Sequence, residues 1–406
     1  MTTDSRFVLV GGGLAAAKLA EALRDNDFDG SITLITEEER LPYERPPLSK
    51  EHLLGKKALP DFTVHAAQWY RDHHVELMLG TTVSAIDRAS KTVALPDGST
   101  LHYDKLALAT GSRPRRLPLP GADAEGVHVL RTIEESDALL ALFGSIRRLA
   151  VIGAGWIGLE VTAAARAAGV EVTVLETEPV PLRAALGTRM GEVFADLHRA
   201  HGVDLRCGVA VAAIVTADGR ATGVRLDDDT EIPADAVLLA VGARPNVEPA
   251  ADAGLAVEGG VLVDESLATS DPDIVAVGDI AEQQHPVLGR RIRVEHWANA
   301  LNQPAVAART MLGRPAAYDR LPYFFTDQYD LGMEYTGYVA PDQEATVVVR
   351  GDTDAREFVA FWLDSGNRVL AGMNVNVWDV TERIKQLVQS GDPVDPQRLA
   401  DTSAEL

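Results

Sequence analysis

Cysteine is nearly absent: Cys207 stands alone among 406 residues. A single thiol forms no intramolecular disulfide, structural or catalytic, and cannot supply a thiolate metal site. No apolar run reaches the length of a membrane span. No secretory leader opens the chain, because MTTDSR runs straight into a strand-like segment, so the expected compartment is the cytoplasm. Positive charge is in deficit, with 38 Lys and Arg against 60 Asp and Glu, a net charge of −22. That average surface repels a phosphate backbone and argues against nucleic acid, and its plain meaning is solubility at high concentration. What is present is ordinary globular material: 46% hydrophobic and 24% charged residues bury substantial cores. The length suggests two or three domains.

Residues 6–10, RFVLV, are a short run rich in branched apolar side chains that ends at glycine, the pattern of a buried parallel strand. LAAAKLAEALRDN follows with strong helix formers and apolar positions at helical spacing. SITLIT (31–36) is a second strand closing on Glu37. The pattern then returns: RRLAVIG, WIGLEVTAAARAAG and VEVTVLE, closing on Glu176. LALATGSRP (106–114) is echoed by VLLAVGARP (237–245). The chain therefore reads as two copies of one nucleotide-binding unit. SRPRRLPLPG and GARPNVEP mark crossings between domains, and IVAVGDI is a further strand ending in Gly-Asp. Past residue 320 the composition changes. Seven of 22 aromatics fall between Tyr318 and Tyr338, then ATVVVR, EFVAFWL and RVLAGMNVNV precede a helix, TERIKQLVQS. This predicts a smaller α+β domain.

Gly11-x-Gly13-x-x-Ala16 and Gly153-x-Gly155-x-x-Gly158 both fit the dinucleotide fingerprint. The first glycine permits the strand-to-helix turn, the second lets backbone amides approach a pyrophosphate, and the third position must be small for the helix to pack on the strand. The helix start adds unpaired N–H groups and partial positive charge. A lone glycine-rich turn is more often only a turn. Here each follows a strand, opens a helix and precedes a strand ending in acid. Glu37 and Glu176 would each accept hydrogen bonds from an adenosine ribose. A 2′-phosphate would meet a carboxylate at Glu176, followed by Thr177 and Glu178, which favours NADH over NADPH. Arg183 is the residue that could counter this. Two dinucleotides together suggest FAD and NAD, since a flavin takes a hydride and releases electrons singly.

The ordered segments GGGLAAA, TEEERLPYERPPLSK, ALATGSRP, VIGAGWIGLE, AVGDI and VEHWANA resemble the FAD- and NADH-dependent ferredoxin reductases of the putidaredoxin-reductase and dioxygenase-reductase type. Rubredoxin reductase and apoptosis-inducing factor are similar in the same stretches. The resemblance implies an α/β fold: two Rossmann-like dinucleotide-binding domains in the glutathione-reductase-like manner, plus a C-terminal α+β domain. It implies a discontinuous FAD domain (1–113 and 244–322), an NAD domain (114–243) and a terminal domain (323–406). FAD would touch Gly11, Gly13, Leu14, Ala15, Glu37, Arg45, Pro46, Pro47, Val83, Ala109, Thr110, Gly111, Arg131, Gly278, Asp279 and Trp297. NADH would touch Gly153, Gly155, Trp156, Ile157, Glu160, Glu176, Arg183 and Gly242. Lys50 would lie near flavin N5, paired with Glu160, the two forming the catalytic pair. Taken alone, Lys50 is an ordinary surface lysine; only RPPLSK overrides that. Trp156 stands where the family usually has Tyr or Phe. Trp297, after Glu295 and His296, would begin a helix whose positive end favours an anionic reduced ring.

Relatives that work through sulfur need a disulfide or a reactive cysteine early in the chain, and no cysteine precedes position 207. Cys207 itself reads as a small buried residue. Electrons must then leave the flavin directly, and the expected acceptor is a [2Fe–2S] ferredoxin serving a haem-thiolate monooxygenase or a ring-hydroxylating oxygenase. Docking an acidic ferredoxin needs a local basic patch, with Arg290, Arg291, Arg293, Arg309, Arg314 and Arg320 as candidates. LPYFFTDQYD (321–330) would flank the flavin, although a core role for most of its rings is the simpler reading. Two rivals stand beside this: a flavin oxidase or quinone reductase, and a redox-controlled binding protein like apoptosis-inducing factor.

Overall fold

The computed structural model describes residues 5–406, which divide into two compact units. The first comprises residues 5–44, 59–113 and 244–322 of the described chain. Its centre is a five-stranded parallel sheet in the spatial order Ile274–Ala276, Lys105–Leu108, Arg6–Val10, Ser31–Ile35, Val75–Met78. Phe7 to Val10 are buried, as a central parallel strand requires when both faces are covered. Helix Leu14–Asp25 lays Leu14, Ala16, Leu19, Ala20 and Leu23 onto that sheet, and helix Trp297–Met311 packs beside it.

The second unit comprises residues 45–58, 114–243 and 323–406. Its parallel sheet repeats the design in the order Asp204–Cys207, Glu171–Glu176, Arg148–Ile152, Ala236–Leu239, Val127–His128. The two expected βαβ units are thus present, one in each compact unit. The same unit holds an antiparallel sheet, ordered Tyr323–Gln328, Leu331–Gly337, Val369–Val375, Glu357–Leu363, Thr346–Asp352. Helix Thr381–Ser390 covers it through Ile384, which leaves no room for a side chain at Gly372: a Cβ there would lie 2.6 Å from Ile384 Cγ2. The terminal segment is therefore α+β, with two strands, Tyr323–Gln328 and Leu331–Gly337, beyond the three the sequence suggested.

One segment sits differently from expectation. Residues 45–58, read with the first nucleotide domain, pack within the second unit. The physical reason is a set of polar ties. Ser136 Oγ donates to Leu48 O (2.7 Å), His52 Nε2 meets Asp137 Oδ1 (2.8 Å), and Ser49 and Lys50 both reach Glu160. No helix among the described residues is long and apolar enough to cross a membrane.

Candidate functional site

In the first unit, strand Arg6–Val10 ends at Gly11, whose φ of +124° and position under Ala109 exclude a side chain: a Cβ would lie 2.1 Å from Ala109 O. Gly13 is the N-cap of helix Leu14–Asp25 and has no side chain with which to cap it. A Cβ on Gly13 would meet nothing within 4 Å. Unsatisfied helix amides thus face open space, which suits a pyrophosphate. Leu14 and Ala15 are buried in the first turn, and Ala16 fills the third fingerprint position without exposure. The loop Ala109–Gly111 is fastened by Asn246: Thr110 Oγ1 donates to Asn246 O (2.7 Å), and Asn246 Nδ2 returns a bond to Thr110 O (2.8 Å). Gly278 N donates to the buried Gln303 Oε1 (2.7 Å), which sets the turn carrying Asp279, and Trp297 Nε1 donates to Glu44 Oε2 (3.0 Å). Val83 lies in the core of this unit. Gln303 and Asn246 were not legible in the sequence.

In the second unit Gly153, with φ +103°, repeats the role of Gly11: a Cβ would stand 2.5 Å from Ala240 O. Gly155 again caps a helix, Trp156–Ala167, without a side chain and again opens onto nothing within 4 Å. Gly158 must be glycine, because its Cβ would approach Gly153 O to 2.3 Å. Ile157 is 43% exposed in the first turn. Trp156 packs edge-on against Phe194 and Phe324, with centroids at 5.7 and 4.8 Å. Gly242, at φ +95°, ends the loop equivalent to Ala109–Gly111 and accepts Arg115 N–H (2.9 Å).

The acids that end the second strands are not placed alike. Gly11 N bonds Ile35 O, whereas Gly153 N bonds Leu175 O, so the position matching Glu176 is Thr36, and Glu37 lies one residue further on. Thr36 packs on Gly12, where a Cβ would fall 2.0 Å from Thr36 Oγ1. Glu37 is exposed. Glu176 is fastened: Oε2 accepts Ala154 N–H (2.7 Å), and Oε1 accepts Glu178 N–H (2.9 Å) and Thr177 Oγ1 (3.1 Å). Lone pairs remain on both oxygens for ribose hydroxyls. Arg183 is engaged by Glu178 (Nη1 to Oε2, 2.6 Å).

Also in the second unit, the structure brings Lys50 and Glu160 together. Lys50 Nζ lies 2.8 Å from Glu160 Oε1, with the side chains only 8% and 4% exposed. Lys50 is placed by the short helix Pro46–Ser49 and Glu160 by helix Trp156–Ala167. Ser49 Oγ donates to Glu160 Oε2 (2.5 Å) and Thr326 Oγ1 to Oε1 (2.6 Å). Three donors converge on one buried carboxylate, so neither member of the pair lies uncompensated. Phe325 stands over Lys50 Nζ, with its centroid at 5.5 Å. Arg45 Nη1 donates to Arg131 O (2.5 Å), so Arg45, Pro46, Lys50 and Arg131, all read with the first nucleotide, belong to this unit. Ser49 and Thr326 gave no motif signal of their own.

Cys207 corrects an expectation: it is half-buried, because strand Asp204–Cys207 is an edge strand. Burial pushes its thiol up, away from the reactive thiolate. Among the described residues, several arginines bond only uncharged oxygens: Arg291 to Val263 O and Glu282 O, Arg309 to Pro315 O, Arg314 to Asn26, and Arg320 to Asn302 Oδ1. Such bonds fix a guanidinium without neutralising it. Arg293 instead faces Glu295.

Comparison with known proteins matches residues 5–303 to the family described as pyridine nucleotide-disulphide oxidoreductase, and residues 323–406 to Reductase C-terminal. The anthranilate 1,2-dioxygenase system ferredoxin–NAD(+) reductase component of Burkholderia cepacia is 41% identical over 98% of this chain and 98% of its own. Rhodocoxin reductase of Rhodococcus erythropolis is 39% identical over 98% of this chain and 93% of its own. A solved covalent complex of putidaredoxin reductase with putidaredoxin superposes with a TM-score of 0.95 at 35% identity, covering 99% of this chain and 97% of the other.

Proposed function

The chain belongs to the pyridine nucleotide-disulphide oxidoreductase family, and on that footing we propose that it is an NADH-dependent, FAD-containing ferredoxin reductase that passes electrons to a [2Fe–2S] ferredoxin serving an oxygenase. Relatives named as ferredoxin–NAD(+) reductase components of dioxygenase systems support the reaction, and the putidaredoxin complex supports the class of partner. FAD, when bound, supplies the capacity to accept a hydride and to release electrons one at a time. The chain's part is to bind and orient. The turn Gly11–Ala15, Glu37, the loop Ala109–Gly111, Gly278, Asp279 and Trp297 hold the flavin nucleotide, with the first compact unit as its domain. Residues 114–243 hold NADH: amides at Gly155, Trp156 and Ile157 take the pyrophosphate, and Glu176 takes the ribose and repels a 2′-phosphate. Lys50 and Glu160 orient the reacting rings and hold fixed charge beside them, so proximity does the work. Residues 321–330 shape the acceptor side. Arg291, Arg309, Arg314 and Arg320 offer unneutralised charge to an acidic ferredoxin. The cytoplasm, where NADH is held, is the compartment this reading requires.

The observation that carries this reading is one cradle built twice in a chain with no thiol before position 207. The test is NADH-driven cytochrome c reduction by the yellow holoprotein, with and without ferredoxin. A strong dependence on ferredoxin is expected. Rapid NADH consumption in air without a partner would instead mark an oxidase.

A further inference from the structure

Thr326 and Gln328 are two residues apart on strand Tyr323–Gln328 and so face the same side. Beyond them lie His198, from helix Arg183–Ala200, and Tyr329, in the turn that ends the strand. Thr326 Oγ1 is 2.6 Å from Glu160 Oε1, Gln328 Nε2 is 3.2 Å from Thr326 Oγ1, His198 Nε2 is 2.9 Å from Gln328 Oε1, and Tyr329 OH is 3.3 Å from His198 Nδ1. Glu160 sits against the Lys50 ammonium, and a carboxylate there can only accept. That one fact settles every proton in the chain. The Thr326 hydroxyl must donate to Glu160, so its oxygen accepts from the Gln328 amide nitrogen. The Gln328 carbonyl then faces His198, whose Nε2 must carry the hydrogen. Nδ1 is left as the acceptor for the Tyr329 hydroxyl.

We propose that Tyr329, His198, Gln328 and Thr326 form a one-directional hydrogen-bond relay that holds Glu160 in its working orientation, making all four positioning residues for the NADH half-reaction. The inference rests on the reading of Lys50 and Glu160 given above. The backbone supports it independently. Tyr329 is the first of two residues in the tight turn between Gln328 and Leu331, and its φ is +57°, a conformation in which a bulky residue is strained. Its ring lies flat on His201, with centroids 3.7 Å apart and planes 9° apart, so strain is tolerated where it delivers the hydroxyl to His198. Thr326, Gln328 and His198 are buried, which removes water as a competing partner. Burial above all holds His198 neutral, its protonation falling to about 4, as a ring with one donor and one acceptor nitrogen must be.

The relay acts through Thr326 and is therefore non-additive. On the holoprotein, Thr326→Val should slow flavin bleaching at saturating NADH roughly tenfold, the scale of one lost hydrogen bond to a charged group. Thr326→Ser, which keeps the hydroxyl, should restore it. His198→Phe should slow bleaching by a smaller factor in the parent and by nothing further in Thr326→Val. In a ¹⁵N-histidine spectrum, His198 should be the Nε2–H tautomer, and Gln328→Leu, which removes the acceptor of that hydrogen, should shift the Nε2 signal. Flavin content and thermal midpoint exclude variants that fail to fold, and the near-isosteric Val and Ser pair keeps the test informative. Additive losses, failure of serine to rescue, or an Nδ1–H tautomer would overturn the relay. Glu160→Gln separates the two ideas: if it leaves bleaching unchanged, the site reading itself fails, whereas a crippled Glu160→Gln beside additive relay variants sinks only the relay.

Discussion

Gly153 and Gly155 are two residues apart, yet substitution by alanine should fail in opposite ways. At Gly153 the φ of +103° is one that side chains rarely adopt, at a cost of about 1–3 kcal/mol. The new Cβ would also stand 2.5 Å from Ala240 O, a backbone atom that cannot swing aside. Gly153→Ala should therefore destabilise the protein outright. Gly155 has φ −80°, which alanine adopts freely, and nothing within 4 Å of its missing Cβ. As an N-cap, alanine loses up to ~1 kcal/mol relative to glycine. It regains ~0.4–1 kcal/mol by restricting the unfolded chain. Stability should hold to within about 1 kcal/mol. What changes is the space in front of the helix amides. Displacing one charge-assisted bond to a pyrophosphate loses ~1.5–3 kcal/mol of affinity, or about 10- to 150-fold. The assay is KM for NADH with ferricyanide as acceptor, which isolates this half-reaction from any ferredoxin, together with a thermal melt. Wild-type NADH saturation in Gly155→Ala, or a melt as poor as that of Gly153→Ala, would refute the reasoning.

Three further outcomes are expected. Glu176→Ala should narrow the preference for NADH over NADPH, read as a ratio of kcat/KM values. Further substitution of Arg183 should reverse part of the change, because Glu178 still holds that guanidinium only at the surface. Lys50→Met leaves Glu160 buried with two hydroxyl donors, so the melt should fall by less than the ~3–5 kcal/mol of a fully orphaned buried charge, while stopped-flow flavin reduction slows. His198 binds its proton near pH 4 when folded and near its ordinary value when unfolded, so the unfolded chain takes up more protons between the two. Its contribution is complete above about 6.5 and is lost as pH falls toward 4. Thermal midpoints of wild type and His198→Gln should converge over that interval.

The central strands and their glycine turns were legible because each is local: a branched apolar run, a turn that excludes Cβ, a helix at 3.6 spacing. The doubling of the cradle was legible for the same reason. The pairing of Lys50 with Glu160 came only from resemblance, since 110 positions separate them and no period links them. Thr326, Gln328 and His198 went unread, because a buried polar side chain in a strand shows no sign of what it meets across the fold. The offset of Thr36 against Glu176 went unread because both strands end in acid, and only the register of Gly11 N on Ile35 O exposes the one-residue difference. Segment 45–58 was placed with the first nucleotide by resemblance, whereas polar ties decide its company.

Helices Leu14–Asp25 and Trp156–Ala167 begin at glycines and so start without the side-chain acceptor that most helices carry. In the proposed function a bound pyrophosphate completes them. Folding and cofactor supply are then linked by mass action, since a ligand that recognises only the native state raises its stability with the logarithm of concentration. Cells short of riboflavin should accumulate less of this polypeptide, through turnover of the stripped form and without any change in its synthesis.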